Sequence, residues 1–298
     1  MNPNFLIIGA ARSGTTALTH FFKQHPQIFM SEPKEPHFMA FANKEVSFKG
    51  PGDESLMNRI TVTKLEAYQQ LFAAAQNKVA IGEGSVSTLY YHDQSIPNIK
   101  RYAPDVKLIV ILRDPVERAF SSFMYMTSRG LEPLKEFEAA VDDEDRRIDE
   151  GWHHIWHYVR MGHYAPQIAA FQKAFDRSQM RFYLLEDLQA DPMPLLKDVF
   201  QFLWVDDTFQ PETDREINRS GKPKNRLVQT AMGLLGRTVT LKRAIKTIIP
   251  ARMREKIKAA NLEHPEISKA ARARLSRLYQ DDIIAVEDLL GRKLSAWR

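Results

Sequence analysis

Arg12, Ser13, Gly14, Thr15 and Thr16 lie between an apolar run and a helix-like stretch in "FLIIGAARSGTT" (5–16). Gly9 and Gly14 occupy the glycine positions of the phosphate-binding pattern G-x-x-x-x-G-K-[ST], but Thr15 stands where that pattern has lysine. A strand that ends in such a turn and opens a helix gathers backbone N–H groups around an anion, and the helix dipole favours negative charge there. The two threonine hydroxyls add donors, and Arg12 offers a planar fork to a tetrahedral oxyanion. The absent lysine argues against a γ-phosphate, and so against an ATP-dependent kinase with a degenerate loop.

A second pair of residues has the same chemistry. In "LIVILRDPVERAFSSF" (108–123), Arg113 follows an apolar run and Ser121 lies eight residues later. If the run is a strand, Arg113 stands at its C-terminal end, where open α/β sheets bind ligands. Asp114-Pro115 then opens a helix that carries Ser121 on its second turn. Such an arginine and hydroxyl can grip another phosphate; a surface ion pair of Arg113 with Asp114 or Glu117 is the alternative. His153, His154 and His157, in "GWHHIWHY", have spacings a metal could use, but no acidic residue falls at a diagnostic distance. They read as aromatic surface or as the wall of an acceptor site. His25 before Pro26 reads as structural, and Glu32 as a capping or surface residue.

These side chains need a scaffold that ends several strands side by side. "FLIIGA" (5–10), "KVAIGE" (78–83), "KLIVILRD" (107–114) and "RFYLLED" (181–187) read as strands buried on both faces. Helical patterns at 15–24, 64–76, 115–128, 133–149, 163–176 and 192–203 separate them, so a parallel sheet with helices on both sides is expected. One sheet drawing on residues 5 to 187 predicts one domain over 1–298, with an α/β core at 1–204. Beyond it, a polar loop "NRSGKPKNR" (218–226) leads to two helical patterns, 226–259 and 266–290.

Charge is divided unevenly. The chain of 298 residues has a net charge of +5, yet residues 219–298 hold 19 Lys and Arg against 7 Asp and Glu. The basic third points to an anionic substrate, cofactor, membrane surface or nucleic acid, or to a solvated helical face. In "LLGRTVTLKRAIKTIIPARMREKIK" (234–258) the cations flank an apolar stripe, a pattern compatible with peripheral membrane contact. The chain has no cysteine, which excludes disulfides and thiolate metal sites. No signal-peptide pattern and no run near the roughly 20 apolar residues of a spanning helix is present, so a cytoplasmic location is expected.

Together the two motifs resemble those of sulfotransferases that use 3′-phosphoadenosine 5′-phosphosulfate (PAPS). "ARSGTT" looks like that family's 5′-phosphosulfate loop, and Arg113 with Ser121 matches its 3′-phosphate motif. The likeness is closest to the bacterial and glycan-modifying branch, and the loop arginine is similar to that of tyrosylprotein sulfotransferases. It extends through "LTHFFKQHPQIFMSEPKEPHFM" (18–39), "GHYAPQIAAF" (162–171), "YLLEDLQADP" (183–192) and "DIIAVEDLLGRKLSAW" (282–297). The resemblance implies a P-loop-like α/β/α sandwich with a helical C-terminal extension. It implies PAPS as co-substrate, no metal and no nucleic-acid partner, and release of 3′,5′-bisphosphoadenosine.

The resemblance also assigns roles. Arg12, Ser13, Gly14, Thr15 and Thr16 would hold the 5′-phosphosulfate, and Arg113 and Ser121 the 3′-phosphate. Lys222 and Lys224, in "SGKPKN" (220–225), would cover the nucleotide. Sulfonyl transfer needs a group that takes the acceptor's proton. Related glycan and tyrosine enzymes use a glutamate matched here by Glu35 of "KEPHF" (34–38); His37, on the same face of an extended segment, would orient it or act as the base itself. Gly84 replaces a lysine that heparan sulfate enzymes carry after "GE", and Leu185 replaces an aromatic of cytosolic relatives. The acceptor is expected to be a small molecule, glycan or lipid, with protein tyrosine also open. A nucleotide- or polyanion-binding module without catalysis is the rival from another class.

Overall fold

The computed structural model describes residues 1–213 and 265–298, with the backbone of Lys222–Pro223 and Leu262–Glu263. Five strands, β1 (Phe5–Gly9), β2 (Ile28–Met30), β3 (Ala80–Gly84), β4 (Lys107–Leu112) and β5 (Met180–Leu184), form one sheet in the order β2-β3-β1-β4-β5. Every pairing in it is parallel. β1 is central, and the order reverses beside it: the chain goes outward to β2, returns to β3, and crosses to β4. That reversal opens a crevice at the C-terminal ends of β1 and β4.

Among the described residues six helices run ten residues or more: α1 (Thr15–Gln24), α2 (His92–Tyr102), α3 (Pro115–Ser128), α4 (Tyr164–Ala174), α5 (Pro192–Leu203) and α6 (Lys269–Leu290). Alternating strand residues divide them into two layers. Phe5, Ile7, Ile109 and Ile111 pack with Leu18 and Phe22 of α1 and Leu196, Val199 and Phe200 of α5. Leu6, Ile8, Leu108, Val110 and Leu112 pack on the other face with Ile99, Phe123, Ile168, Phe171, Leu275 and Tyr279, which come from α2, α3, α4 and α6. The expected three-layer sandwich is present, and α6 is built into one layer. Gly82 lets the core close at its tightest point, since a Cβ there would lie 2.4 Å from Cζ of Phe5.

All four expected strands form, although residues 185–187 of the fourth open a short helix (Leu185–Ala190), and α1, α3 and α5 have the expected bounds. Asp114 caps α3 by accepting from the Val116 N–H at 2.8 Å with Pro115 in the first turn, and Asp191 with Pro192 opens α5 in the same way. The expected helix at 133–149 is instead two short ones, Phe137–Asp142 and Glu144–Asp149, that meet at Asp143, whose ψ of −5° turns its carbonyl out of the α register. β2 and α2 were not anticipated: three residues are too few for a periodic signal, and Pro97 stands inside α2. The 226–259 pattern lies outside the described residues.

Candidate functional site

β1 leaves the sheet at Gly9, where its register with β4 shifts. The Ala10 N–H donates to the Ile111 carbonyl at 2.7 Å, and Arg12 and Gly14 then take φ values of 64° and 95°. A non-glycine residue in the left-handed region marks a loop shaped for more than connection. A Cβ on Gly14 would meet Cδ1 of Leu185 at 2.8 Å, so both the turn and the packing require glycine. α1 begins at Thr15 with no side-chain cap from Gly14 and no acidic residue in its first turn. Its leading N–H groups sit at the C-terminal edge of the sheet, as an anion site needs. Ser13 and Thr15 are buried and Thr16 is exposed; the Ser13 hydroxyl donates to the Ala11 carbonyl at 3.4 Å.

The structure interlocks the two sequence motifs. Arg12 Nε donates to Ser121 Oγ at 3.3 Å, and Arg113 Nη1 donates to the Arg12 carbonyl at 3.3 Å. The Arg12 guanidinium lies 4.6 Å from the centre of the Tyr125 ring, which Arg129 approaches to 4.7 Å. Burial pushes Arg12 down to about 10, with Arg113 and Arg129 adding and Tyr125 and Glu35 opposing, so it stays charged at neutral pH. Arg113 also pairs with Glu117 at 3.4 Å, so the ion pair offered as its alternative role is formed together with the loop contact. The Tyr164 hydroxyl donates to the Arg113 carbonyl at 3.0 Å and fixes the backbone at this corner.

A second group faces the same loop. Lys34 Nζ donates to Thr15 Oγ1 at 3.2 Å and to Glu35 Oε1 at 2.7 Å. His37 Nε2 lies 3.9 Å from Glu35 Oε2, and its Nδ1 is 2.8 Å from Ser87 Oγ. Glu35 and His37 were expected to share the face of an extended segment. A turn brings them together instead: His37 has φ 57° and starts the short helix Phe38–Phe41. Its N–H donates to Ser85 Oγ at 3.0 Å, and the Ser85 hydroxyl donates to Glu83 Oε2 at 2.7 Å, so a buried hydrogen-bond chain holds the turn. Burial drives the Glu35 carboxyl up, but Lys34, His37 and Arg12 outweigh it and hold it below the usual range. Burial pushes His37 down to about 4 against the pull of Glu35, so at neutral pH the ring is uncharged beside the carboxylate. Glu83 is raised to about 8 by burial, with Ser85 and Lys34 opposing and Glu35 adding to the rise.

Residues 3–209 match the sulfotransferase family. The chain belongs to that family. A solved sulfotransferase from Alicyclobacillus acidocaldarius is 30% identical with a TM-score of 0.79, over 100% of this chain and 99% of that one. Carbohydrate sulfotransferase 15 of Mus musculus is 28% identical over 245 residues, covering 67% of this chain and 43% of its own. Heparan sulfate glucosamine 3-O-sulfotransferase 3B1 of Mus musculus is 27% identical over 205 residues, covering 67% of this chain and 46% of its own. The chain thus spans less than half the length of these two curated relatives.

Within this sulfotransferase fold, several residues of the site were missed by sequence reasoning. Lys34 is the main one. Gly84, where heparan sulfate enzymes have lysine, leaves its N–H on the Lys34 carbonyl at 3.2 Å, and the Lys34 ammonium is the cation beside Glu35. Its position next to Glu35 was the only available signal. The histidines are buried: His153 Nδ1 is 2.6 Å from Asp53, and His157 contacts the Tyr90 hydroxyl and the Trp152 carbonyl. His154 packs its ring 5.8 Å from that of His37, which places this cluster behind the candidate base and not on an aromatic surface. Among the described residues no group of three or more His, Asp and Glu has metal-site geometry. His25 is buried on the Asp206 carbonyl at 2.9 Å, and Glu32 pairs with Lys23 at the surface. Lys222 pairs through its backbone with Glu263, but its side chain and all of Lys224 lie outside the described residues.

Proposed function

We propose that this sulfotransferase moves the sulfonate group of PAPS to a hydroxyl or amine of a glycan acceptor and releases 3′,5′-bisphosphoadenosine. The observation that carries the reading is the continuous set of contacts from Ser121 through Arg12 to the loop, and from Thr15 through Lys34 to Glu35. Two anion-binding motifs suit a donor with a 5′-phosphosulfate and a separate 3′-phosphate. The uncapped start of α1, with Arg12 and Thr15, takes the first; Arg113 and Ser121 take the second. Family membership favours this donor over the ATP of a degenerate kinase and favours an enzyme over a binding module.

In the reaction, Glu35 accepts the proton of the acceptor hydroxyl as its oxygen bonds to sulfur. The bond between sulfur and the bridging oxygen of the 5′-phosphate breaks, and charge gathers on the departing nucleotide. Arg12, Lys34 and the N-terminus of α1 oppose that charge from fixed positions, where preorganised groups are most effective. His37 borders Glu35 as a neutral ring and positions it. A glycan acceptor follows from relatives named for carbohydrate and heparan sulfate transfer, whereas Gly84 argues against a heparan-type chain as the direct acceptor. The test is transfer of labelled sulfonate from PAPS to a panel of glycans, lipids and small alcohols. Label in a glycan supports the reading; label only in lipid or alcohol replaces the acceptor; PAPS binding without transfer to any of them removes the catalytic reading.

A further inference from the structure

Arg113 is surrounded by acids, an odd setting for a residue assigned to a phosphate. Glu117 Oε2 lies 3.4 Å from Arg113 Nη2, and Asp114 and Glu186 are close enough to act on Arg113 electrostatically. Those carboxylates would repel a phosphate dianion. The opposing charge comes from a residue 155 positions beyond Glu117. Arg272, in the first turn of α6, donates through Nη2 to Glu117 Oε1 and brings Nη1 to 3.9 Å from Asp114 Oδ2.

The placement of Arg272 is fixed by packing. Ser268 caps α6 by accepting from the Ala271 N–H at 3.0 Å, and Ala271, Leu275 and Tyr279 are buried. Tyr279 donates to the Val159 carbonyl at 2.8 Å. Asp282 accepts from the N–H groups of Tyr164 and Ala165 at 2.9 and 3.1 Å, and it is Tyr164 whose hydroxyl holds the Arg113 carbonyl. At the far end of the segment, Trp297 Nε1 donates to Glu186 Oε1 at 2.9 Å, the same oxygen that accepts the Asp114 N–H. The C-terminal helix is therefore fastened to both sides of the Arg113 corner.

We propose that Arg272 is a specificity-determining residue of the donor site: by neutralising Glu117 and Asp114 it leaves the charge of Arg113 available, and so sets the preference for nucleotides that carry a 3′-phosphate. This rests on the reading that Arg113 and Ser121 hold that phosphate. Arg272 acts through Glu117 and Arg113, and its effect should appear in the discrimination between nucleotides.

The experiment is calorimetric titration of the full chain with 3′,5′-bisphosphoadenosine and with 5′-AMP, which lacks the 3′-phosphate. In Arg272→Gln the bisphosphate should bind about tenfold more weakly while 5′-AMP is unchanged, the size expected for one partly exposed charge. Adding Glu117→Gln to that variant should return the preference to within about twofold of wild type, because the repelling carboxylate is gone. Glu117→Gln alone should keep or strengthen the preference, and it tests the idea even if Arg272→Gln does not fold. An unchanged preference in Arg272→Gln, equal loss for both nucleotides, no recovery in the double variant, or a weakened preference in Glu117→Gln would each overturn the proposal. The underlying reading fails in a different way: wild type would show no preference, or Arg113→Ala would leave it intact.

Discussion

Replacing Lys34 by methionine keeps the aliphatic stem and removes the ammonium that touches Thr15 Oγ1 at 3.2 Å and Glu35 Oε1 at 2.7 Å. Hydrogen bonds to charged groups contribute about 1.5–3 kcal/mol. The Lys34 and Glu35 side chains are 19% and 30% exposed, so the lower half of that range applies. At about 1.4 kcal/mol per factor of ten, kcat/KM should fall about 10- to 40-fold. The pH profile carries a separate signature. Glu35 lies below the usual range because Lys34, with His37 and Arg12, overcomes the upward push of burial. Without Lys34 that push gains ground, so Glu35 should protonate at higher pH and the acid limb of kcat/KM should move up. Initial rates of label transfer from PAPS across the acid and neutral range measure both effects. A Lys34→Met/Glu35→Gln double variant completes the cycle, since a lysine that works by holding Glu35 has little left to lose once the carboxylate is gone. An unmoved acid limb, or a double variant that falls by the full product of the single losses, would refute the claim that Lys34 acts through Glu35.

Three other expectations bear on the same site. Glu35→Gln should lower turnover about 10²–10⁴-fold with nucleotide affinity intact; near-full activity there, with loss in His37→Ala, would transfer the role of base to His37. Arg113→Ala should cost about 1.5–3 kcal/mol of 3′,5′-bisphosphoadenosine binding by calorimetry, and the same loss for 5′-AMP would show that Arg113 does not read the 3′-phosphate. Glu83, at about 8 in the folded chain against an ordinary 4.5, retains a proton that the unfolded chain has released between those values, so stability falls as pH rises through that window. Glu83→Gln should therefore raise Tm above wild type at pH 8 and lose the advantage below pH 4.5; a pH-independent difference would mean that another group titrates.

The parts of the site visible in the sequence are those whose signal is local. Gly14 and the threonines announce a strand-to-helix turn because backbone N–H groups converge only at such a spacing, and Asp114-Pro115 marks a helix start because its cap and its φ are set within two residues. The eight-residue interval between Arg113 and Ser121 is likewise local, running from the end of β4 across the Asp114 cap to the second turn of α3. What the sequence concealed depends on residues that meet only after folding. His37 takes a left-handed φ where Ser85, itself held by Glu83 of the neighbouring strand, accepts its N–H, so an extended reading of "KEPHF" had no local contradiction.

Charge was the least legible property. Gly84 read as a missing cation, yet Lys34 delivers its ammonium to Glu35 from the turn that the Gly84 N–H supports. Asp114 and Glu117 read as surface ion-pair partners of Arg113, with no indication that Arg272 of α6 bridges toward both. The basic balance of residues 219–298 was legible as a sum, whereas its destination was not, because an ion pair depends on distance in space and leaves no interval in the chain to detect. A sequence can therefore show where an anion binds well before it shows what tunes the charge around it. In this protein the two are joined by Tyr164, whose hydroxyl holds the Arg113 carbonyl while its backbone N–H is held by Asp282 of α6.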